Sequence, residues 1–175
     1  GGPPRPGVTG PAPIIGGGGG IAGRATALAA APAPVLLLTR SAGSRGAASA
    51  LAQGGIAAAV GAGDSPAAHA HDTCSAGSHH NDPAMVDVLT RGAADAVEWL
   101  QQLGVAFDRD AGGRLQLGRE GGHDRPRIVH AGGDATGAAV MAALVAAARQ
   151  APHIERQSGI EVDGLMLRSG HVCGV

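Results

Sequence analysis

The chain of 175 residues contains no lysine and no tyrosine, a single phenylalanine and a single tryptophan. Its basic side chains are 13 arginines set against 14 Asp and Glu, a formal net charge of −1. That balance leaves no single-sign field to hold nucleic acid or an anionic membrane. The longest apolar stretches, residues 27–31 and 140–148, fall far short of the about 20 apolar residues that a membrane span needs. The two cysteines, Cys74 and Cys173, lie far apart without Cys-x-x-Cys spacing, and no charged and apolar leader opens the chain. These features point to a soluble protein of a reducing cytoplasm. Leu, Ile, Val and Phe number only 34 of 175, so the core must rest largely on alanine. The 31 Gly and 11 Pro bring the composition near the low-complexity range, but the balanced charge removes the second half of the disorder signature.

Residues 1–12 carry no periodic apolar pattern and read as a disordered Gly/Pro-rich leader to a domain over residues 13–175. Ile14-Ile15, a glycine run, an alanine-rich stretch from Ile21, Pro32 and Pro34, and the apolar run 35–38 read as strand, tight turn, helix, loop and strand. Residues 41–63 are rich in Gly, Ala and Ser and read as extended or irregular backbone, and Asp64-Ser65-Pro66 opens a short helix through Ala70. Asp82-Pro83 supplies an N-cap with proline at the first helical position. The helix it opens places Val86, Leu89, Ala93, Ala96, Val97 and Leu100 on one face and ends at Gly104. Trp99 is read as core. A hairpin is expected over 105–118 about the turn 110–113, a second helix over 134–149, and strands over 160–167 and 172–175. The pattern is α/β with a parallel sheet that reads as unfinished, the mark of a fragment.

Gly18-Gly19-Gly20-Ile21-Ala22-Gly23 fits G-x-G-x-x-G between a strand and a helix. Glycines there let the backbone turn tightly and approach a pyrophosphate held at the helix N-terminus. Thr39-Arg40 stands where an acidic residue holds the ribose in NAD enzymes, and the spacing leaves NADP and a flavin dinucleotide both open. His69, His71, Cys74, His79 and His80 match no zinc pattern, so the reading includes no metal. Arg119-Glu120-Gly121-Gly122-His123 presents a carboxylate and an imidazole on a glycine-loosened loop, suited to binding substrate or moving protons, or simply solvated.

Taken together, these segments resemble the L-aspartate oxidases of the succinate dehydrogenase and fumarate reductase flavoprotein superfamily. The likeness rests on the glycine motif, the 36–40 strand end, Ser49 to Ala58 with Gln53-Gly54-Gly55-Ile56, Asp72-Thr73, Leu103 to Asp108, Arg119 to His123, and His130 to Gly137, in that order. It covers residues 13–175 and implies an incomplete Rossmann-like FAD-binding domain whose capping domain is absent from this chain. It further implies oxidation of L-aspartate to iminoaspartate, with electrons passing to O2 or fumarate and quinolinate synthase downstream. By position, Gly18, Gly19, Gly20, Ile21, Ala22 and Gly23 would hold the pyrophosphate, and Arg40 would stand at the adenosine end. Ala48, Ser49, Ala50, Leu51, Ala52, Gln53, Gly54 and Gly55 would wrap the flavin. Ala48 replaces the histidine that carries FAD covalently in succinate dehydrogenases, so the flavin is expected to be noncovalent. Glu120 would orient the substrate amine, a demand that succinate does not make, and no proton-transfer residue is assigned in this chain. The alternatives are a fumarate reductase or succinate dehydrogenase flavoprotein and a non-catalytic truncated remnant. Departures from the family pattern are Gly16 and Gly17 in the first strand, Arg24 in place of an apolar residue, and Asp124-Arg125-Pro126 after His123.

Overall fold

A computed structural model describes residues 12–42 and 47–175. The described residues form two compact units, one from 12–42, 47 and 144–175 and the other from 48–143. The leader expected over residues 1–12 lies, apart from Ala12, outside the described residues.

In the first unit, β1 (Ile14–Gly17) and β2 (Val35–Thr39) pair in parallel, with Ile14 opposite Val35 and Gly17 opposite Leu38. The glycines at 16 and 17 therefore stay within the strand, because backbone pairing needs no side chain. Helix α1 (Ile21–Ala29) makes the crossover between them. On the other side of β2 lies β6 (Ile154–Ser158), also parallel, with Val35 opposite Ile154 and Thr39 opposite Ser158. The sheet order is β1-β2-β6. Ala27, Val35, Leu37, Ala148 and Ile154 are buried together as its core. β2 is nearly all apolar and nearly all buried, as a strand with partners on both edges should be.

β6 is a correction to the sequence reading, which placed the strand at 160–167. Only Ile154 of its residues is buried, so the strand shows no apolar run, and its place is set by hydrogen bonding to β2. The strand conformation within 160–167 is confined to Met166 and Leu167, in β7 (Met166–Arg168), which forms a hairpin with β8 (His171–Gly174). Ser169 and Gly170, both at positive φ, make its two-residue turn.

The second unit holds one 3-10 turn (Ala48–Leu51), the helices α2 (Pro66–Ala76) and α3 (Pro83–Gln102), and a small antiparallel sheet. That sheet has the order β3 (Ile56–Ala57), β5 (Ile128–Val129), β4 (Leu117–Gly118). Helix α4 (Thr136–Gln150) begins in this unit and ends in the first. The hairpin about 110–113 is present as a single antiparallel bridge between Arg109 and Leu115. α2 extends six residues beyond the expected Ala70 and packs on α3.

The α3 start matches expectation: the Asp82 carboxylate accepts from the N–H of Ala84 at 2.9 Å and of Met85 at 3.3 Å, with Pro83 next to it. Its buried stripe is Val86, Thr90, Ala93, Val97 and Leu100, whereas Leu89 is 66% exposed and Ala96 is also exposed. Thr90 takes the inner place because its hydroxyl donates to the Val86 carbonyl at 2.9 Å and so needs no water. Trp99, read as core, is half-buried. Asp82→Ala is expected to cost about 1 kcal/mol, the usual worth of an N-cap, as a lower urea midpoint at unchanged m value.

Candidate functional site

The glycine turn between β1 and α1 has the geometry that its motif demands. Gly18 sits at φ +138° and donates its N–H to the Leu38 carbonyl at 3.0 Å. A Cβ added at Gly23 would run into the Gly18 carbonyl oxygen, and one added at Gly19 would press on Thr39 at 3.2 Å. The turn thus folds back onto the first turn of α1. An α-helix leaves its first N–H groups without intrahelical acceptors. In α1 no side chain caps them and no acidic residue occupies the first turn. The N-terminal end of its dipole is therefore suited to an anion. Arg40, in the same unit, pairs with Glu161 at 2.5 Å, both side chains being well exposed.

The remaining predicted residues lie in the second unit. Ala48, Ser49, Ala50 and Leu51 form the 3-10 turn, and Leu51, Ala52, Gln53 and Gly54 are exposed, Leu51 by 79%. Two glycines fix this segment. Gly137, in the first turn of α4, donates its N–H to the Ala52 carbonyl at 3.1 Å, and a Cβ there would meet the Ser49 carbonyl. A Cβ on Gly55 would meet Ile128 and the Val129 carbonyl of β5. The motifs around residues 49–55 and 130–137, far apart in sequence, are thus one packed piece of structure. Asp108 joins it: its carboxylate accepts from the N–H of Gly132 at 2.9 Å and of Gly133 at 3.0 Å, both glycines being at positive φ. The Gly133 and Gly132 donors hold the Asp108 carboxyl below its ordinary range.

Glu120 lies in an exposed turn whose carbonyl accepts from the His123 N–H at 3.0 Å. Among the described residues it makes no ion pair. His123 is half-buried, edge-on to His69 with ring centroids 5.5 Å apart. His69 is 4% exposed, and burial, followed by the Arg127 charge, lowers its pKa and keeps it neutral.

Sequence reasoning missed the group beneath this loop. Arg127 is fully buried and donates to Asp64 at 2.7 and 2.9 Å, to Asp72 at 2.5 Å and to Asp124 at 3.1 Å. Asp72 also accepts from the Asp124 N–H at 2.9 Å, so α2 is tied to the loop after His123. Burial pushes the Asp64 carboxyl up, but the Arg127 hydrogen bonds, the Ser65 N–H and the charges of Arg127 and Arg125 together outweigh it, and the net shift is downward. The Asp72 carboxyl is held far below its ordinary range, first by the Asp124 N–H and then by Arg127. The available signal was the departure at Asp124 to Pro126, but its partners lie more than 50 residues away. Among the described residues no cluster of three or more His, Cys, Asp and Glu could hold a metal ion, and no helix is long and apolar enough to cross a membrane.

Comparison with known proteins places this geometry. The family described as FAD binding domain matches residues 14–175. The chain is 46% identical over 166 residues to an L-aspartate oxidase of Mesorhizobium japonicum, covering 95% of this chain and 32% of that protein. It is 44% identical to that of Agrobacterium fabrum, covering 90% and 30%. Among solved structures, an E. coli quinol fumarate reductase aligns with TM-score 0.85 at 28% identity, over 92% of this chain and 28% of that one. The Mycobacterium smegmatis Sdh1 complex aligns with TM-score 0.83 at 27% identity, over 91% and 30%. The chain spans about a third of the length of the curated relatives it matches. On its glycine turn, its parallel sheet and this match over nearly all of its length, the chain belongs to the FAD binding domain family of the succinate dehydrogenase and fumarate reductase flavoproteins.

Proposed function

We propose that this chain is the FAD-holding part of an L-aspartate oxidase, which converts L-aspartate to iminoaspartate with O2 or fumarate as electron acceptor and supplies quinolinate synthase. The observation that carries the cofactor is the Gly18 to Gly23 turn. Its closed backbone and the uncapped N-terminus of α1 fit a diphosphate, and a side chain at position 23 would not. In this reading Gly18, Gly19, Gly20, Ile21, Ala22 and Gly23 hold the diphosphate, while Arg40 stands at the adenosine end. Ala48, Ser49, Ala50, Leu51, Ala52, Gln53, Gly54 and Gly55 line the flavin. An exposed Leu51 beside exposed glycine backbone is the kind of surface a flat ring system covers. Bound noncovalently, FAD would supply the two-electron oxidation at the substrate Cα.

The chain's own contribution is position and charge. Gly137 and Gly55 fix the 3-10 turn and the backbone after it, so the proposed flavin surface is held by packing as well as by its own sequence. Glu120, a carboxylate without an ion pair among the described residues, is suited to an ammonium group and so to an amino-acid substrate. Identities of 44–46% to L-aspartate oxidases, against 27–28% to the fumarate reductase and succinate dehydrogenase structures, favour the same choice.

The test is aspartate-dependent production of peroxide, or aspartate oxidation coupled to fumarate, by the FAD-loaded protein that carries this chain. In that protein Glu120→Gln is expected to lower kcat/KM for L-aspartate by about 10- to 100-fold, the worth of a charge-assisted hydrogen bond of about 1.5–3 kcal/mol. Fumarate reduction should change by less than about threefold, since no ammonium is bound. Equal losses in both would favour a fumarate reductase, and absence of any aspartate oxidation would end the proposal.

A further inference from the structure

The first unit holds a concave site beside the glycine turn whose arginines the FAD reading leaves without a role. Arg24 from α1, Arg149 from the last turn of α4 and Arg156 from β6 line one cavity of about 160 Å³, together with Thr39 and Ser158. None of the described lining residues is acidic. Thr39 and Ser158 are direct neighbours across the ends of β2 and β6. Arg156 precedes Ser158 by two residues and so shares its face of the sheet. The site is therefore built from four separate elements.

Arg24 is only 3% exposed, and its Nε donates to the Gly19 carbonyl at 2.8 Å, which fixes the guanidinium beneath the glycine turn. Among the described residues neither Arg149 nor Arg156 enters an ion pair. Burial, followed by the Arg156 and Arg149 charges, lowers the Arg24 pKa. Like charges gathered around one cavity repel one another, and a doubly charged anion seated among them turns that repulsion into attraction. Planar guanidinium forks match the oxygens of a phosphate. The Ser158 hydroxyl adds a neutral donor, whereas the Thr39 hydroxyl is engaged with the Ser41 carbonyl at 3.0 Å.

We propose that the pocket formed by Arg24, Arg149, Arg156 and Ser158 binds a phosphate dianion, either inorganic phosphate or a phosphate monoester on a nucleoside ribose. This site adjoins the FAD diphosphate turn, which Arg24 touches at the Gly19 carbonyl, and does not depend on the L-aspartate oxidase assignment, because its readout is phosphate binding alone.

The test is calorimetric titration of the protein that carries this chain with inorganic phosphate, and separately with adenosine 2′-monophosphate, at low ionic strength. Arg149→Gln and Arg156→Gln are each expected to weaken phosphate about tenfold. Arg91→Gln, on an exposed arginine paired with Asp87 in α3, should leave binding unchanged. Arg149 and Arg156 are themselves exposed, so both variants should keep the wild-type thermal unfolding curve, and Arg149→Lys, which keeps the charge but loses the fork, should recover only part of the affinity. Adenosine 2′-monophosphate binding at least tenfold more tightly than phosphate, with the same losses in both variants, identifies a nucleotide as the source. Equal affinities identify free phosphate. No saturable binding of either probe, or binding that both Gln variants leave unchanged, would overturn the proposal.

Discussion

Replacing Arg127 by Met is expected to remove about 3–5 kcal/mol of stability, the cost of stripping one partner from a buried ion pair. That is a large share of the 5–15 kcal/mol that holds a typical domain together. The size follows from what stays behind. Asp64 has a side chain only 2% exposed and Asp72 one only 11% exposed, and each loses its guanidinium donors. The pH dependence separates this cause from a simple packing defect. In the wild-type protein both carboxyls titrate below their unfolded value of about 3.9. Their contribution is therefore complete above that value and is lost as pH falls through and below it. Without Arg127, only the Ser65 N–H and the Arg125 charge oppose burial at Asp64, so its carboxyl moves up from its wild-type position and the variant should lose less stability than the wild type on acidification from pH 6 to pH 4. Adding Asp64→Asn to Arg127→Met should recover part of the loss at pH 7. Chemical denaturation of the single and double variants across that range checks all three statements; a pH-independent loss identical in both would contradict the charge argument.

What could be read from the sequence was what short segments determine by themselves. The Gly18 to Gly23 turn was legible because positive φ at Gly18 and the close approach at Gly23 both demand glycine, whatever surrounds them. The α3 start was legible because Asp82 and Pro83 act within one turn. The α3 face was only partly so. Hydropathy points to Leu89 rather than Thr90, whereas the 3.6-residue period carries Thr90 inward and its hydroxyl is satisfied by the helix itself. β6 was invisible because Ile-Glu-Arg-Gln-Ser has no apolar alternation and earns its place from backbone bonds to β2. The Arg127 group, and the Asp108 cradle on Gly132 and Gly133, depend on partners brought together by the fold. No local pattern announces such contacts, although both sets of residues lie inside or beside segments that the family likeness had singled out.

Gly23→Ala is expected to weaken FAD binding by at least about 100-fold, equivalent to about 2.7 kcal/mol. The added Cβ meets a backbone oxygen, that of Gly18, which has no side-chain rotation to retreat by. Either α1 moves away from β1, or the turn opens and changes the φ of Gly18. Both changes withdraw the backbone N–H groups and the helix end proposed to face the diphosphate. Gly92→Ala provides the contrast within the same protein. It lies in the interior of α3, where an added Cβ meets nothing within 4 Å. It should raise stability by about 0.5–1 kcal/mol through helix propensity and leave FAD affinity unchanged. Titration of each variant with FAD, followed by quenching of flavin fluorescence and paired with thermal unfolding, separates a binding defect from a folding defect. A Gly23→Ala protein that folds and binds FAD with wild-type affinity would show that the turn is not where the cofactor's diphosphate rests. The site would then have to be sought at another surface of the chain.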